Sequence, residues 1–376
     1  MNKISGWKRM GVIFLLLGLL LPQNAGASGA WFSLSAMEKL GYILPEEERS
    51  GEVRMTFLGD CTLGDEARKR NASLGFAKTI EKMGCEHPFR QLRRLTSPDD
   101  LTVANLETVL SDRKLKKVRK EYNFIGSASY TEILTAGSID CVTLANNHTH
   151  DFGEEGYEDT KTALNEAGVA WFGTDSPAVW ISEEGFMIGF LGVSYSLVGN
   201  GYKRYREQYQ SLRDLGCAAV VTVMHAGTEY AYAAPDRYQK QIVTRAVQCG
   251  TDLVVGHHPH VVQGYTVQEG VPVVYSLGNC SFGGTTRARD SDALALQVIM
   301  RFEKGRLKEQ ELHFYPISIT GDERYNDYSP VFLTGTGAER VLAKMEKSTG
   351  WAPGAFGEKE GAVVSISSAD AAPGSE

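Results

Sequence analysis

The chain has 376 residues, with 39 basic against 46 acidic side chains and a formal net charge of −7. A hydrophobic content of 42% supplies a sizeable core and excludes wholesale disorder, and the acidic balance argues against a nucleic-acid partner. The length allows two ordinary domains or one large α/β domain.

Residues 1–27 read as an address. Lys3, Lys8 and Arg9 precede an apolar run from Met10 to Leu21, Pro22 breaks it, and Ala25-Gly26-Ala27 has the small-x-small form of a signal-peptidase site. The run is shorter than the ~20 residues of a spanning helix. A cleaved signal peptide is the first reading and an uncleaved N-terminal membrane anchor the second. Either puts the remainder outside the cytoplasm, secreted or held at the cell membrane. Cleavage would remove three bases and no acid, taking the net charge from −7 to −10. In that compartment Cys61, Cys85, Cys141, Cys217, Cys249 and Cys280 are free to form disulfides. Settings such as Asp140-Cys141-Val142 read first as small buried hydrophobes, with a disulfide framework second.

Residues 28–50 read as a linker, with one helix expected near Ser35 to Leu40. A domain over 51–352 then alternates strands and helices. Strands are expected at Val53–Leu58, Leu101–Ala104, Asp140–Leu144, Phe186–Val193, Ala218–Met224, Leu253–Val255 and Val273–Tyr275. Helices are expected at Pro88–Leu95, Tyr130–Ala136, Glu154–Ala167 and Asp236–Gln248, the last two stopped by Gly168 and Gly250. Ala293–Arg301 and Leu307–Ile319 read as two strands joined by a turn at Lys304-Gly305. Residues 353–376 turn to Ala, Gly, Ser and Glu and read as a disordered tail.

Polar clusters recur just after the apolar strands: Asp60, then Asn105 and Glu107, then Asn147 and His148, then His225, then His258 and His260. In α/β sheets the C-terminal strand ends open onto one crevice, where sites are built. Six of the eight His (His148, His150, His225, His257, His258, His260) fall in these segments. A lone His beside a strand is more often structural; the joint arrangement points to a site. Carboxylate, imidazole and amide oxygen together suit Zn, Mn or Fe, and His258-Pro259-His260 is an i, i+2 pair able to face two neighbouring metals with Glu107 between them. Two divalent ions would bring about +4 against about −2 from Asp60 and Glu107, leaving a pocket suited to an anionic substrate. His148 is the candidate acid for a leaving group. Neither a GxxxxGK[ST] phosphate loop nor a GxSxG elbow occurs in the sequence.

At these residues the chain resembles the capsule-biosynthesis CapA family (poly-γ-glutamate synthesis proteins), a branch of the calcineurin-like metallophosphoesterases. The matching segments are Leu58-Gly59-Asp60 with Leu63-Gly64, Ala104-Asn105-Leu106-Glu107, Leu144-Ala145-Asn146-Asn147-His148 with Asp151 and Gly153, His225-Ala226-Gly227 with Glu229-Tyr230, Gly256-His257-His258-Pro259-His260-Val261, and Ser276-Leu277-Gly278-Asn279. They run in the family's order over residues 51–320. The resemblance implies an α/β fold of four layers, an α/β/β/α sandwich, with two divalent metal ions (Mn, Fe or Zn) at the strand ends. Carried over, Asp60 holds the first metal, Glu107 bridges, Asn147, His225 and His258 hold the second, and His260 returns to the first. His148 is the catalytic acid or transition-state stabiliser, and Asn105, Asp151, Glu229 and Asn279 support the site or the substrate.

The sequence departs from the wider superfamily in places. Thr62 stands where the first motif has a ligating His, Asp65 where an Arg follows Leu-Gly, Ala226 where a Trp follows the fourth-motif His, and Cys280 where an aromatic is common. Among the remaining His, His87 reads as a loop residue, His150 as a supporting or solvent-facing group, His257 as structural and His313 as a surface position on a late strand. The stretch Tyr195 to Tyr209, with Lys203, Arg204 and Arg206, reads either as a pocket wall that grips an anion or as a solvated loop and helix start. Two functions are expected: an extracytoplasmic CapA-like metal-dependent hydrolase of a phosphoester or envelope-polymer bond linked to poly-γ-glutamate or capsule biosynthesis, or a non-catalytic polymer-binding component of a membrane-bound capsule or poly-γ-glutamate assembly complex. The expected partners are an anionic substrate or polymer and a membrane-embedded synthase complex.

Overall fold

The computed structural model describes residues 29–40, 49–69, 72–199 and 201–367. The strands of its first half are β1 (Gly29–Ser33), β2 (Gly51–Thr62), β3 (Asp65–Glu66), β4 (Leu101–Leu106), β5 (Val109–Leu110), β6 (Phe124–Gly126), β7 (Cys141–Thr143), β8 (Ala170–Phe172), β9 (Ala178–Ser182) and β10 (Met187–Val193). Those that follow are β11 (Ala219–His225), β12 (Leu253–His257), β13 (Val262–Gln268), β14 (Val271–Leu277), β15 (Asn279–Phe282), β16 (Asp292–Glu303), β17 (Arg306–Ser318), β18 (Val331–Phe332), β19 (Phe356–Gly357) and β20 (Gly361–Ser367).

A seven-stranded sheet runs β1-β9-β10-β11-β12-β14-β13, and a ten-stranded sheet runs β19-β20-β17-β16-β2-β4-β7-β8, with β15 on β2 and β18 on β17. Each has a parallel centre, β10-β11-β12-β14 in one and β2-β4-β7-β8 in the other. Helices supply most of the crossovers that parallel strands require; β12 reaches β14 through the strand β13 instead.

Alternation along the strands decides which face each residue serves. In β2, Met55 and Phe57 join Val103 of β4, Val221 and Val223 of β11 and Val255 of β12 in one buried cluster shared by both sheets. Leu58 faces the other way, with Ala104 and Val142, beneath Ile80, Ile133, Leu134 and Leu164 from the helices Phe76–Met83, Thr131–Ala136 and Gly153–Ala167. On the far side of the seven-stranded sheet, Leu191, Val220 and Val254 pack under Met37, Leu212 and Ile242 from Leu34–Leu40, Gly201–Asp214 and Arg237–Cys249. The chain is thus mixed α/β, as expected.

Two segments depart from the expected domain plan. The expected linker 28–50 contains β1, which pairs antiparallel with β9; its helix, Leu34–Leu40, falls where one was expected, with Leu34 and Met37 buried. Trp31 lies against Phe190 at 5.2 Å between ring centroids, so apolar burial fixes this stretch to the sheet. The expected disordered tail 353–376 contains β19 and β20. β20 covers the edge of β17, from Glu309↔Ser367 to Phe314↔Ala362. That pairing closes an otherwise open strand edge, and it buries His313, expected at the surface; the ring bonds the Glu360 carbonyl through Nδ1 at 2.7 Å and Glu311 through Nε2 at 2.6 Å. The address segment 1–27 and residues 368–376 lie outside the described residues; among the described residues no helix is long and apolar enough to cross a membrane. All six cysteines are free thiols.

The expected helix at Pro88–Leu95 shrinks to Arg93–Thr96. The preceding residues form turns, tied down where His87 Nε2 meets the Asp327 carbonyl at 2.7 Å. Conversely, Phe76–Met83 is a helix without a local start signal, because its N-cap residue is Gly75. The missing acceptor comes from afar: the buried Asp65 carboxylate accepts the Phe76 N–H at 2.7 Å and the Ala77 N–H at 3.0 Å. The residue that departs from the superfamily's Arg is therefore a helix cap. Asp65→Ala leaves two first-turn donors unpaired and is expected to cost about 1–2 kcal/mol in urea denaturation, with Asp65→Asn costing less.

Candidate metal centre

The C-terminal ends of the two parallel strand sets meet at one place, and the expected site residues lie there. Asp60 sits near the end of β2, opposite Asn105 of β4, just past a register shift between Leu58 and Asp60. Gly59 makes that turn possible. A Cβ there would meet the Gly278 carbonyl oxygen at 2.2 Å, and the same carbonyl accepts the Asp60 N–H at 3.0 Å. Glu107 follows β4, its N–H held by the Cys61 carbonyl at 2.8 Å. Asn147 and His148 follow β7, His225 ends β11, and His258 and His260 follow β12. His258 and His260 have φ values of 97° and 57°, a left-handed backbone that costs a non-glycine residue energy and so must be held by its surroundings.

Glu107 stands at the centre. Its carboxylate is fully buried, yet among the described residues neither oxygen has a hydrogen-bond partner. Oε1 faces one group: His225 Nε2 at 3.4 Å and His148 Nε2 at 3.8 Å. Oε2 faces another: His260 Nδ1 at 4.0 Å, itself 3.2 Å from Asp60 Oδ2. On the first side His225 Nε2 is 2.8 Å from Asn147 Oδ1 and 3.1 Å from His258 Nδ1. Glu107, His258 and His260 each offer a ligand atom within 4.8 Å of the others.

The electrostatics follow from burial. Desolvation pushes the Glu107 carboxyl up to about 7, against the pull of His260. It also drives His225 well below the ordinary imidazole range and His258 down to about 2, leaving both rings neutral with lone pairs available. Burial opposes the charge on Asp60 and on His260 too, but here the partners win. His257 and His260 hold Asp60 well below the usual carboxylate range, while Glu107 and Asp60 lift His260 to about 10. A buried carboxylate without hydrogen-bond partners among the described residues, beside the neutral imidazoles of His225 and His258 and the Asn147 amide oxygen, is a donor set that fits divalent metal ions.

The supporting residues are also placed. Asn105 Nδ2 lies 2.7 Å from Asp60 Oδ1 and 3.1 Å from His225 Nδ1, so it joins the two halves. Asn279 Oδ1 meets His260 Nδ1 at 2.8 Å. Asp151 Oδ2 meets His148 Nδ1 at 2.8 Å and accepts the Phe124 N–H at 2.6 Å. Glu229 is exposed, beside the Tyr230 ring that lies 6.2 Å from His260, and makes no ion pair with the cluster among the described residues. Thr62 does not enter the site; its hydroxyl donates to the Glu107 carbonyl at 3.3 Å. The Tyr-rich stretch splits. Tyr205 and Tyr209 are buried in the helix Gly201–Asp214, Lys203 pairs with Glu207 and Arg204 with Asp175, and Tyr195 reaches the centre, edge-on to His258 at 5.7 Å.

Three contributors were not singled out from the sequence as site groups. Lys120 Nζ reaches Asp151 Oδ1 at 2.6 Å, the Asn147 carbonyl at 2.8 Å and His148 Nδ1 at 3.1 Å. Asn146 Nδ2 donates to Asn105 and to the Leu106 carbonyl, and Asn146 Oδ1 accepts the His148 N–H. His257, read as structural, points Nδ1 at Asp60 Oδ1 from 3.3 Å. His257 and Asn146 lie within the motif segments, but Lys120 comes from a loop with no strand-end signal. His150 is exposed and pairs weakly with Glu154 at 3.7 Å, in line with a solvent-facing role.

Comparison with known proteins agrees with the resemblance. The chain is 27% identical over 277 residues to the capsule biosynthesis protein CapA of Bacillus anthracis, covering 66% of this chain and 65% of that protein. It is 27% identical over 258 residues to the PGA biosynthesis protein CapA of Bacillus subtilis, covering 63% of this chain and 65% of that one. A probable polyglutamine synthesis accessory protein of Mycobacterium tuberculosis is 27% identical over 211 residues, covering 48% and 55%. The matched region thus spans less than two thirds of the length of these relatives. Residues 54–283, which carry every ligand candidate from Asp60 to His260, match the profile of the bacterial capsule synthesis protein family PGA_cap, and the chain belongs to that family.

Proposed function

We propose that the chain is an extracytoplasmic, metal-dependent hydrolase of a phosphoester or envelope-polymer bond, working in poly-γ-glutamate or capsule biosynthesis beside a membrane-embedded synthase complex. The three buried clusters, one between the sheets and one under the helices on each outer face, support reading the fold as a four-layer α/β/β/α sandwich. The observation that carries the reading is Glu107: a buried carboxylate with both oxygens unpaired, one turned to His225 and His148, the other to His260. The relatives' names supply the biological setting.

Asp60, Glu107 and His260 would hold one divalent ion, and Glu107, Asn147, His225 and His258 the other. Ions there would polarise the ester oxygens and acidify a water at neutral pH. The chain's own part is proton placement. His148 Nδ1 faces Lys120 and Asp151, so Nε2 points toward Glu107 and the cleft. With Lys120 donating to Nδ1, a neutral ring carries its proton on Nε2; with Asp151 accepting from Nδ1, an imidazolium carries one there as well. Either state aims a proton at a leaving group. Asn105 keeps Asp60 and His225 in fixed relation, and Tyr195 and Phe282 wall the imidazoles of His258 and His260.

One observation favours a second reading, a non-catalytic component that binds polymer in the same cleft. Thr62 replaces a ligating His and is turned to the Glu107 carbonyl, which leaves the Asp60 side one ligand short. The test assays phosphodiesters and poly-γ-glutamate with the wild type, Asn147→Ala and His258→Ala. Hydrolysis lost in both variants is expected. Polymer production in cells that survives both substitutions but fails on deletion of the chain would favour the second reading.

A further inference from the structure

The loop between β5 and β6 carries Arg113-Lys114-Leu115-Lys116-Lys117-Val118-Arg119-Lys120, six cations in eight residues with no acid among them. Its two ends are engaged: Arg113 Nε binds Asp159 at 2.7 Å, and Lys120 reaches Asp151 and His148 in the centre. The four between them, Lys114, Lys116, Lys117 and Arg119, are exposed and make no ion pair or side-chain hydrogen bond with the described residues.

The loop has no regular secondary structure, yet it is fastened. Leu115 packs on Val109, Ile125 and Phe152. The Val118 N–H donates to the Asp151 carbonyl at 2.9 Å, and Asn123 Nδ2 reaches the carbonyls of Val118 and Asp151, each at 3.3 Å. The backbone that presents the cations is therefore tied to the residue that orients His148. Of the nearby acids, Asp159 pairs with Arg113, Asp151 with Lys120, Asp112 accepts from Ser127, and Glu121 and Glu229 are exposed within electrostatic reach of Tyr122. Four like charges held together without partners repel one another, a cost that an anionic ligand relieves.

From Lys114 to Lys120 the chain can extend up to about 20 Å. A single phosphoester would touch only the Lys120 end. A ligand that uses the whole run must carry repeated negative charges along a linear backbone.

We propose that residues 114–120 form a cationic track that binds an extended polyanion and leads it to the metal centre, so that the ligand of this cleft is a polymer of carboxylates or phosphates and not a small ester. The proposal rests on reading the cleft as the reaction site. It favours a polymer over an anionic membrane because the run ends inside the centre, at Lys120, and because Leu115 is turned inward to the core.

The test measures binding of labelled poly-γ-glutamate and, separately, of polyphosphate by fluorescence anisotropy over a salt series. It uses the full chain, a variant with Lys114→Gln, Lys116→Gln, Lys117→Gln and Arg119→Gln together, and a second variant in which the three lysines become arginine. The glutamine variant is expected to bind at least one of the polymers about tenfold or more weakly, with a shallower salt dependence, while the arginine variant keeps wild-type binding. Melting curves of both variants guard against misfolding. Glu107→Gln separates the track from the cleft: retained polymer binding with lost hydrolysis supports the track, and absent hydrolysis in every form defeats the cleft reading while leaving the track measurable. Unchanged affinity and salt slope for both polymers in the glutamine variant would overturn the proposal. So would wild-type binding to phosphatidylglycerol vesicles with none to either polymer.

Discussion

Glu107→Gln is expected to abolish the thermal stabilisation that divalent ions give the wild-type chain and to make the metal-free chain more stable. Both effects come from one fact, the burial of a carboxylate with neither oxygen hydrogen-bonded. With metal at 100 times its dissociation constant, linkage would stabilise the wild type by about 2.7 kcal/mol, and the variant would lose that gain with the charge of Glu107. Without metal, the amide avoids the cost of a buried anion. The pH dependence fixes the sign. Burial raises the folded carboxyl to about 7, above its unfolded value. Its contribution to stability is therefore fully present below the unfolded value and is lost as pH rises through about 7. The difference between metal-free wild type and Glu107→Gln, followed by melting temperature from pH 4 to 8, should widen with pH in favour of the variant. A flat difference would mean that burial does not raise the Glu107 carboxyl in the metal-free chain.

The second large effect concerns proton delivery. His148→Gln is expected to lower kcat for a phosphodiester by about 10²- to 10⁴-fold with metal content unchanged, because His148 lies beside Glu107 at 3.8 Å without competing for the donors around His225 and His260. Asp151→Asn should cost less, about 10- to 100-fold, since it disturbs the orientation of the ring and leaves the ring in place. A fall in kcat with the acidic or basic limb of the pH–rate profile displaced identifies His148 as the proton carrier. A loss of bound metal in His148→Gln would instead make it a ligand.

Much of this arrangement was legible in the sequence because it is encoded locally. Apolar runs that end in Asp, Asn or His mark both parallel strand centres, and Asp60, Glu107, Asn147, His148, His225, His258 and His260 are brought to one place by strand ends alone. What was not legible depends on distant partners. The helix Phe76–Met83 has Gly75 at its start and borrows its cap from Asp65. The helix Gly335–Thr349 begins with two glycines and a Thr334 that makes no side-chain cap, yet Val341 and Met345 are held in the core between the sheets. β20, Gly-Ala-Val-Val-Ser-Ile-Ser, has no regular alternation to stand out from its tail, and it pairs along the edge that β17 offers. Lys120 belongs, by sequence, to a charged loop; only the fold brings it to Asp151.

The metal content of the purified chain tests the central claim most directly. After dialysis against metal-free buffer, elemental analysis of the wild type should find at least one, and on full loading two, divalent ions per chain, with the count falling in His258→Ala and in Glu107→Gln. Less than one ion per chain after loading with Mn, Fe or Zn, unaltered by either substitution, would contradict it.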